Sequence, residues 1–205
     1  MRRMLDRRYC LTAGLVMAGS GLLPRRAHAQ AVEKASAFLQ QMGDRMVAIV
    51  NGSQPAADKR RGLAQILNVA VDVDGIAQFC LGRFWRIASP DQQQRYMAAF
   101  HDVLVNNISA KLGEYRGVKL TVQKGRQQDD QAIVTSIVER PNNPPATVDW
   151  VIEAPATAPR IVDVVAEGTS LRLTQRQDYA SYLTQHNNNI DALVTAMKNQ
   201  TGQSG

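Results

Sequence analysis

From Val32 onward apolar residues return at spacings of three and four. Val32, Ala35, Leu39, Met42, Met46 and Ile49 therefore share one face of a helix. Asn51-Gly52-Ser53-Gln54-Pro55 ends that helix. A second helix is predicted from about Ala56 to Val69, with Leu63, Ile66, Leu67 and Ala70 as its inner stripe. A short third helix follows Asp72 and stops at Gly82, with Ile76, Phe79 and Cys80 on its apolar face. Ser89-Pro90-Asp91-Gln92 is a strong helix start: Ser89 caps, Pro90 suits the first turn, and Gln92 completes a capping box. The helix it opens carries Tyr96, Phe100, Leu104, Ile108 and Leu112 and ends near Gly113 or Tyr115.

After Gly117 the period changes from 3.6 to two. Val118, Leu120 and Val122 alternate with polar residues, and Gly125 to Asp130 reads as a polar turn. Ala132 to Val138 is a second strand, apolar on both faces, so its facing stays open. Val148, Trp150 and Ile152 mark a third strand, and Ile161 to Ala166 a fourth. Short polar turns between them predict an antiparallel meander. Glu167-Gly168-Thr169-Ser170 reads as a turn plus a cap. Two helices follow, marked by Tyr179, Tyr182 and Leu183, then by Ile190, Leu193, Val194 and Met197. The tail after Lys198 is polar and expected to fray. The predicted class is α+β: helices packed on a curved antiparallel sheet of about four strands, with flanking N- and C-terminal helices.

The first 29 residues follow different rules. Arg2, Arg3, Arg7 and Arg8 precede an uncharged apolar run from Leu11 to Leu23, and Ala27-His28-Ala29 fits a signal peptidase site. The expected division is a signal peptide over 1–29, one binding domain over 30–200 and a disordered tail over 201–205. The export route stays open between an ordinary signal and a twin-arginine one built on Arg7-Arg8. Removing this segment changes the charge. The full chain has 24 Lys and Arg against 18 Asp and Glu; without six Arg and one Asp the balance is 18 against 17. No case for nucleic-acid binding survives that subtraction. Cys80 is then the one cysteine left, and it is expected to be a buried, inert thiol.

Candidate chemistry is sparse. His101 and Asp102 are adjacent on a helix, so their side chains diverge by about 100° and cannot form an acid–base pair. His101 and His186 are expected at the surface. Asp72-Val73-Asp74-Gly75 is too short for a calcium loop and reads as helix capping. No zinc spacing, phosphate-binding glycine loop or nucleophile elbow is present, so no catalytic residue, metal or cofactor is assigned.

Two segments carry a family resemblance. One runs from Val71 through Leu81-Gly82-Arg83-Phe84-Trp85-Arg86 and Ala88-Ser89-Pro90 to Gln94-Arg95-Tyr96 and Phe100. The other is Arg160-Ile161-Val162-Asp163-Val164 with Glu167-Gly168-Thr169-Ser170-Leu171. Together they resemble the signatures of the MlaC family, also named for toluene tolerance. Phe84, Thr169 and Cys80 depart from its usual Tyr, Val and aliphatic residue. The resemblance implies an MlaC-like fold with an NTF2-like core, a periplasmic location and no enzymatic activity. It implies a phospholipid carrier working between an outer-membrane lipoprotein/porin complex and an inner-membrane ABC transporter complex with its substrate-capturing domain. A hopanoid-carrying branch of the family stays open.

A diacyl lipid crossing water exposes about thirty methylenes, a cost on the order of 20 kcal/mol at about 0.8 kcal/mol each. A carrier needs only apolar side chains where sheet and helices meet. The candidate acyl-chain contacts are Phe79, Phe84, Trp85, Phe100 and Leu104 from the helices. From the sheet they are Leu120, Val122, Val148, Trp150, Ile152 and Val164. Plain core packing is the competing reading for each. Arg83 and Asp163 are expected to take structural polar roles, pairing with each other as one arrangement. Two other readings compete: a small-molecule enzyme on a similar cone-shaped fold, and a periplasmic adaptor with a solid core.

Overall fold

The computed structural model describes residues 23–111 and 114–202, with side chains in the first helix from Ala29 onward. The predicted signal up to residue 22, Leu112 and the last three residues of the predicted tail lie outside the described residues. The elements run α1 (Leu23–Asn51), α2 (Ala56–Ala70), α3 (Val73–Leu81), a 3-10 turn (Gly82–Arg86) and α4 (Pro90–Ala110). The strands β1 (Lys119–Gln128), β2 (Gln131–Glu139), β3 (Ala146–Glu153), β4 (Arg160–Ala166) and β5 (Thr169–Ser170) follow. Then come α5 (Leu171–Gln185) and α6 (Ile190–Gly202). No helix among the described residues is long and apolar enough to cross a membrane.

The helix boundaries have local causes. Asp72 caps α3 by accepting from the Gly75 amide, at 3.2 Å. Ser89 and Gln92 form the reciprocal capping box of α4, 3.2 Å one way and 3.1 Å the other. Ser170 caps α5 through the Leu173 amide. These side chains satisfy amides that have no partner inside their own helix.

The strands pair in chain order as an antiparallel meander, β1-β2-β3-β4-β5. There are five strands where about four are predicted. Glu167 and Gly168 both take positive φ, 51° and 81°, so the chain turns within two residues. Thr169 and Ser170 then pair back onto Ala166 and Val165. Two residues are too few to show an alternating pattern, so β5 reads as a turn in the sequence. β1 is also longer than predicted. It shifts register between Val122 and Gly125 and continues to Gln128, leaving Asp129-Asp130 as the turn. A Cβ on Gly125 would lie 2.7 Å from Val32 Cγ1, so glycine lets α1 lie against the strand there. At the other end of α1, Asn51 clamps the entry to β1. Its Oδ1 accepts from the Gly117 amide at 2.7 Å, and its Nδ2 donates to the Val118 carbonyl at 3.2 Å.

The interior divides into two apolar clusters. α1, α2 and the sheet enclose Ala35, Leu39, Met42, Ile66, Ala70, Ala132, Val134, Ile152 and Ile161. α3, α4, α5, α6 and the 3-10 turn enclose a second cluster centred on Tyr96, Phe100, Tyr179 and Leu183. Val71 packs on both. It bridges to Ile161, the next amide, Asp72, donates to the Ile161 carbonyl at 2.9 Å, and Arg160 Nη2 donates to the Val71 carbonyl at 2.8 Å. The two clusters therefore meet along the free edge of β4.

Two further readings are corrected. The inner face of α4 follows Tyr96, Ala99, Phe100, Val103 and Asn106, while Leu104 and Ile108 are only half-buried. An i, i+4 stripe drifts around a 3.6-residue helix, so its later members leave the buried face. Arg83 does not pair with Asp163; its guanidinium lies over the Phe84 ring at 4.8 Å. The buried Asp163 carboxylate instead accepts from the Ser170 hydroxyl at 2.6 Å and from the amides of Val164 and Arg172. Arg172 Nε lies 3.4 Å away without hydrogen-bond geometry.

Candidate functional site

Strand register sorts the sheet side chains onto two faces, because paired residues in an antiparallel ladder point the same way. On the face covered by α1, four rows cross the sheet. Ala132, Ile152 and Ile161 form the first row and are all buried. Val134, Trp150 and Val164 form the second; Val134 is buried, while Trp150 and Val164 are half-buried. Val122, Ser136, Val148 and Ala166 form the third, and Leu120, Val138 and Ala146 the fourth. Every member of the fourth row is half-buried. The first row is buried throughout and the fourth is half-buried throughout; between them buried Val134, Ser136 and Val148 alternate with half-buried Trp150, Val164 and Val122.

The covering helix behaves in the same way. Phe38, Met46 and Ile49 of α1 pack against this cluster yet stay half-buried. Leu120 lies beneath Gly43, where a Cβ would come 3.1 Å from its Cδ2. One polar contact crosses the rows: Trp150 Nε1 donates to the Ser136 hydroxyl at 2.8 Å, and Ser136 is fully buried. The bond satisfies a hydroxyl that would otherwise be costly in this setting.

The six sheet candidates, Leu120, Val122, Val148, Trp150, Ile152 and Val164, thus share one face. Ile152 and Val148 are buried, and the other four are half-buried. The helical candidates belong to the other cluster. Phe84 and Phe100 are buried there, and Phe100 packs edge-on to Tyr179 with ring centroids 6.4 Å apart. Trp85 and Leu104 lie half-buried on its border. Phe79 is also half-buried, with arginine side chains over its ring.

Sequence reasoning missed Phe38, Met46, Ile49 and Val138 as members of the thinly covered face. Met46 and Ile49 were legible as inner-stripe residues of α1. Val138 needed the register with Leu120, which the two-faced apolar pattern of β2 conceals.

Burial in the helical cluster favours the protonated forms of its thiol and phenols. Burial pushes the Cys80 thiol up to about 12, with the Asp163 carboxylate adding to the effect. Burial likewise raises the Tyr96 and Tyr179 phenols. Tyr96 donates its hydroxyl proton to the Ala77 carbonyl at 2.9 Å. His101 Nε2 and Asp74 Oδ1 lie 2.9 Å apart at the surface, joining α4 to α3. Among the described residues no group of three His, Cys, Asp or Glu side chains could hold a metal ion.

Residues 40–199 match the family model described as MlaC protein. The chain belongs to the MlaC family. The matched span begins inside α1 and ends inside α6, so the whole sheet and the helical cluster fall within it, while Ala35 and Leu39 of the sheet cluster precede it. A solved structure of similar fold is the phospholipid-binding protein from Ralstonia solanacearum in complex with a phospholipid. It superposes with a TM-score of 0.69 at 22% sequence identity, over 83% of this chain and 98% of that one. At that identity the likeness establishes the common α+β fold of the MlaC family member described here.

Proposed function

We propose that this MlaC-family chain is an exported phospholipid carrier that acts in the periplasm and is not an enzyme. Acyl chains lie against the thinly covered rows of the sheet, beneath α1, and the headgroup stays in water. One observation carries the reading: Leu120, Val122, Val138, Trp150 and Val164 are apolar side chains on one face of the sheet that the protein's own helices leave half-covered. An apolar face of that kind is costly to leave against water, and hydrocarbon is the chemistry that relieves it. The phospholipid in the similarly folded Ralstonia solanacearum protein supports the same class of ligand. The partners are the outer-membrane lipoprotein/porin complex and the inner-membrane ABC transporter complex that family membership suggests.

Native mass spectrometry of protein recovered from the periplasm tests the proposal. The expected spectrum shows protein with one or more bound lipids, released as phospholipid on activation. The mass of the released species separates phospholipid from hopanoid. Repeated recovery of empty protein from a lipid-rich extract would reject the carrier reading.

A further inference from the structure

The apolar face of the sheet has two unlike ends. At one, Ala132, Ile152 and Ile161 are buried, and Lys34 Nζ of α1 donates to the Ala156 carbonyl in the loop beyond β3 at 3.1 Å. At the other, Leu120, Val138 and Ala146 are all half-buried. From Ala132 to Val138 the rows span about 20 Å, at about 3.3 Å per residue. An extended fatty acyl chain fills that length. On the carrier reading, the tails end at the buried row, and glycerol and phosphate emerge at the half-buried one.

Three helix ends meet beside the half-buried row. Asn51, the last residue of α1, holds Gly117 and Val118, just before Leu120. The start of α2 lies against the same end of α1. Lys59 Nζ donates to the Val50 carbonyl at 2.7 Å, and a Cβ on Gly62 would lie 2.8 Å from Ile49 Cδ1. The end of α4 is tied to the start of α2 by Arg60 Nη1, which donates to Asn106 Oδ1 at 3.1 Å.

Both members of that pair extend inward stripes. Arg60 precedes Leu63 by three residues and Leu67 by seven, and Asn106 follows Val103 by three and Ala99 by seven. Each buried apolar stripe thus ends on a polar group. Asn106 is only 4% exposed, whereas Arg60 is exposed. No neighbouring charge neutralises Arg60. Asp58 pairs with Arg61, and among the described residues no carboxylate lies within ion-pair distance of Arg60. One turn beyond Asn106 on the same side of α4, the Ser109 hydroxyl is buried without a hydrogen-bond partner. A buried hydroxyl in that state marks a place where an acceptor is missing.

We propose that Arg60, held by Asn106, receives the phosphate of the bound phospholipid and selects phosphate-bearing diacyl lipids over uncharged ones. The inference rests on the carrier reading and adds the group that tells one apolar cargo from another. A guanidinium anchored through one nitrogen presents its remaining donors as a fork that matches phosphate oxygens. The anchor also reduces the freedom that the side chain loses on binding.

Lipid exchange read by native mass spectrometry tests the site. Protein recovered from the exported fraction is incubated with detergent micelles holding equal amounts of dioleoyl phosphatidylglycerol and dioleoylglycerol, which share their acyl chains. The unmodified protein should load the phospholipid in preference by about tenfold or more, the size of one hydrogen bond to a charged group. Arg60→Gln should lose most of that preference, through weaker phospholipid loading with dioleoylglycerol unchanged. Asn106→Asp keeps an acceptor for Arg60 but neutralises it. That variant should reduce the preference to a similar degree, and it decides the matter if Arg60→Gln fails to fold. Arg61→Gln removes the paired cation next in sequence and should retain the preference. An unchanged preference in Arg60→Gln, or equal loss in Arg61→Gln, would overturn the proposal. So would dioleoylglycerol loading that rises to the phospholipid level once inorganic phosphate is added, because Arg60 would then take a free ion and not the lipid's own phosphate. The two ideas fail differently. Unmodified protein that loads both lipids equally rejects the phosphate site alone, and unmodified protein that loads neither rejects the carrier and the site with it.

Discussion

The two apolar clusters are built from similar residue types and end differently. The helical cluster closes on itself: Tyr96, Cys80 and Leu183 are almost wholly inaccessible, and three aromatic rings interlock around Phe100. The sheet cluster closes over its first row and along its middle, at Val134, Ser136 and Val148, but leaves Leu120, Val122, Val138, Trp150 and Val164 half-covered. Hydrophobicity therefore does not distinguish a sealed core from a half-covered face in this protein. The number of sides from which a residue is covered does. A residue met on all sides by its own chain contributes stability, and one left open has capacity to spare for a ligand.

Phe100 and Trp150 give the widest separation between the regions. Phe100→Ala should lower the unfolding free energy by about 3–5 kcal/mol, the usual cost of emptying a buried aromatic site. Urea unfolding would measure it, and a loss below about 1 kcal/mol would show that the helical cluster is not sealed. Trp150→Asp puts a carboxylate against hydrocarbon, where an unpaired charge is strongly disfavoured. Lipid recovered with that variant should fall by about tenfold or more while the fold persists. Trp150→Phe keeps the apolar area, removes the bond to Ser136 and costs about 1–3 kcal/mol with cargo retained. Normal lipid loading in Trp150→Asp would place the acyl chains elsewhere.

Much of this arrangement was legible in the chain. Helix stripes, the capping box at Ser89 and the alternation of Val148, Trp150 and Ile152 report local geometry, which neighbouring residues determine. Partition into two clusters is not local. Phe84 and Phe100 have the composition of a pocket lining, yet α5 and α6, some seventy or more residues later, close over them. The partner of Asp163 was hidden for a related reason. Arg172 reaches it because β5 turns the chain back within two residues, and so short a strand leaves no periodic trace.

Changes at the helix ends sharpen the comparison further, because they weaken the helical region without touching the open face. Ser89→Ala removes the cap of α4 and should cost about 1 kcal/mol, with lipid loading unchanged. Loss of cargo in that variant would mean that the two regions are not separable.

The smallest effect expected is at Asp191, which ties α6 to α4. It accepts from Gln92 Nε2 at 2.9 Å and pairs with Arg95 Nη1 at 2.7 Å. The hydrogen bonds from Gln92 and Arg95 hold its carboxyl below the ordinary 3.8. A carboxyl depressed in the folded state is ionised there while the unfolded chain still binds a proton, so it stabilises the fold above the unfolded value. That stabilisation is lost as pH falls through the folded value. The side chain is about half exposed, so solvent screening keeps the effect small. Asp191→Asn should therefore lower the melting temperature slightly at neutral pH, and the difference from the unmodified protein should vanish on acidification below 3.8. A difference that grew toward acid would reverse the sign of the coupling. It would also mean that α6 is held on α4 by apolar contact alone, through Leu193, Val194 and Met197.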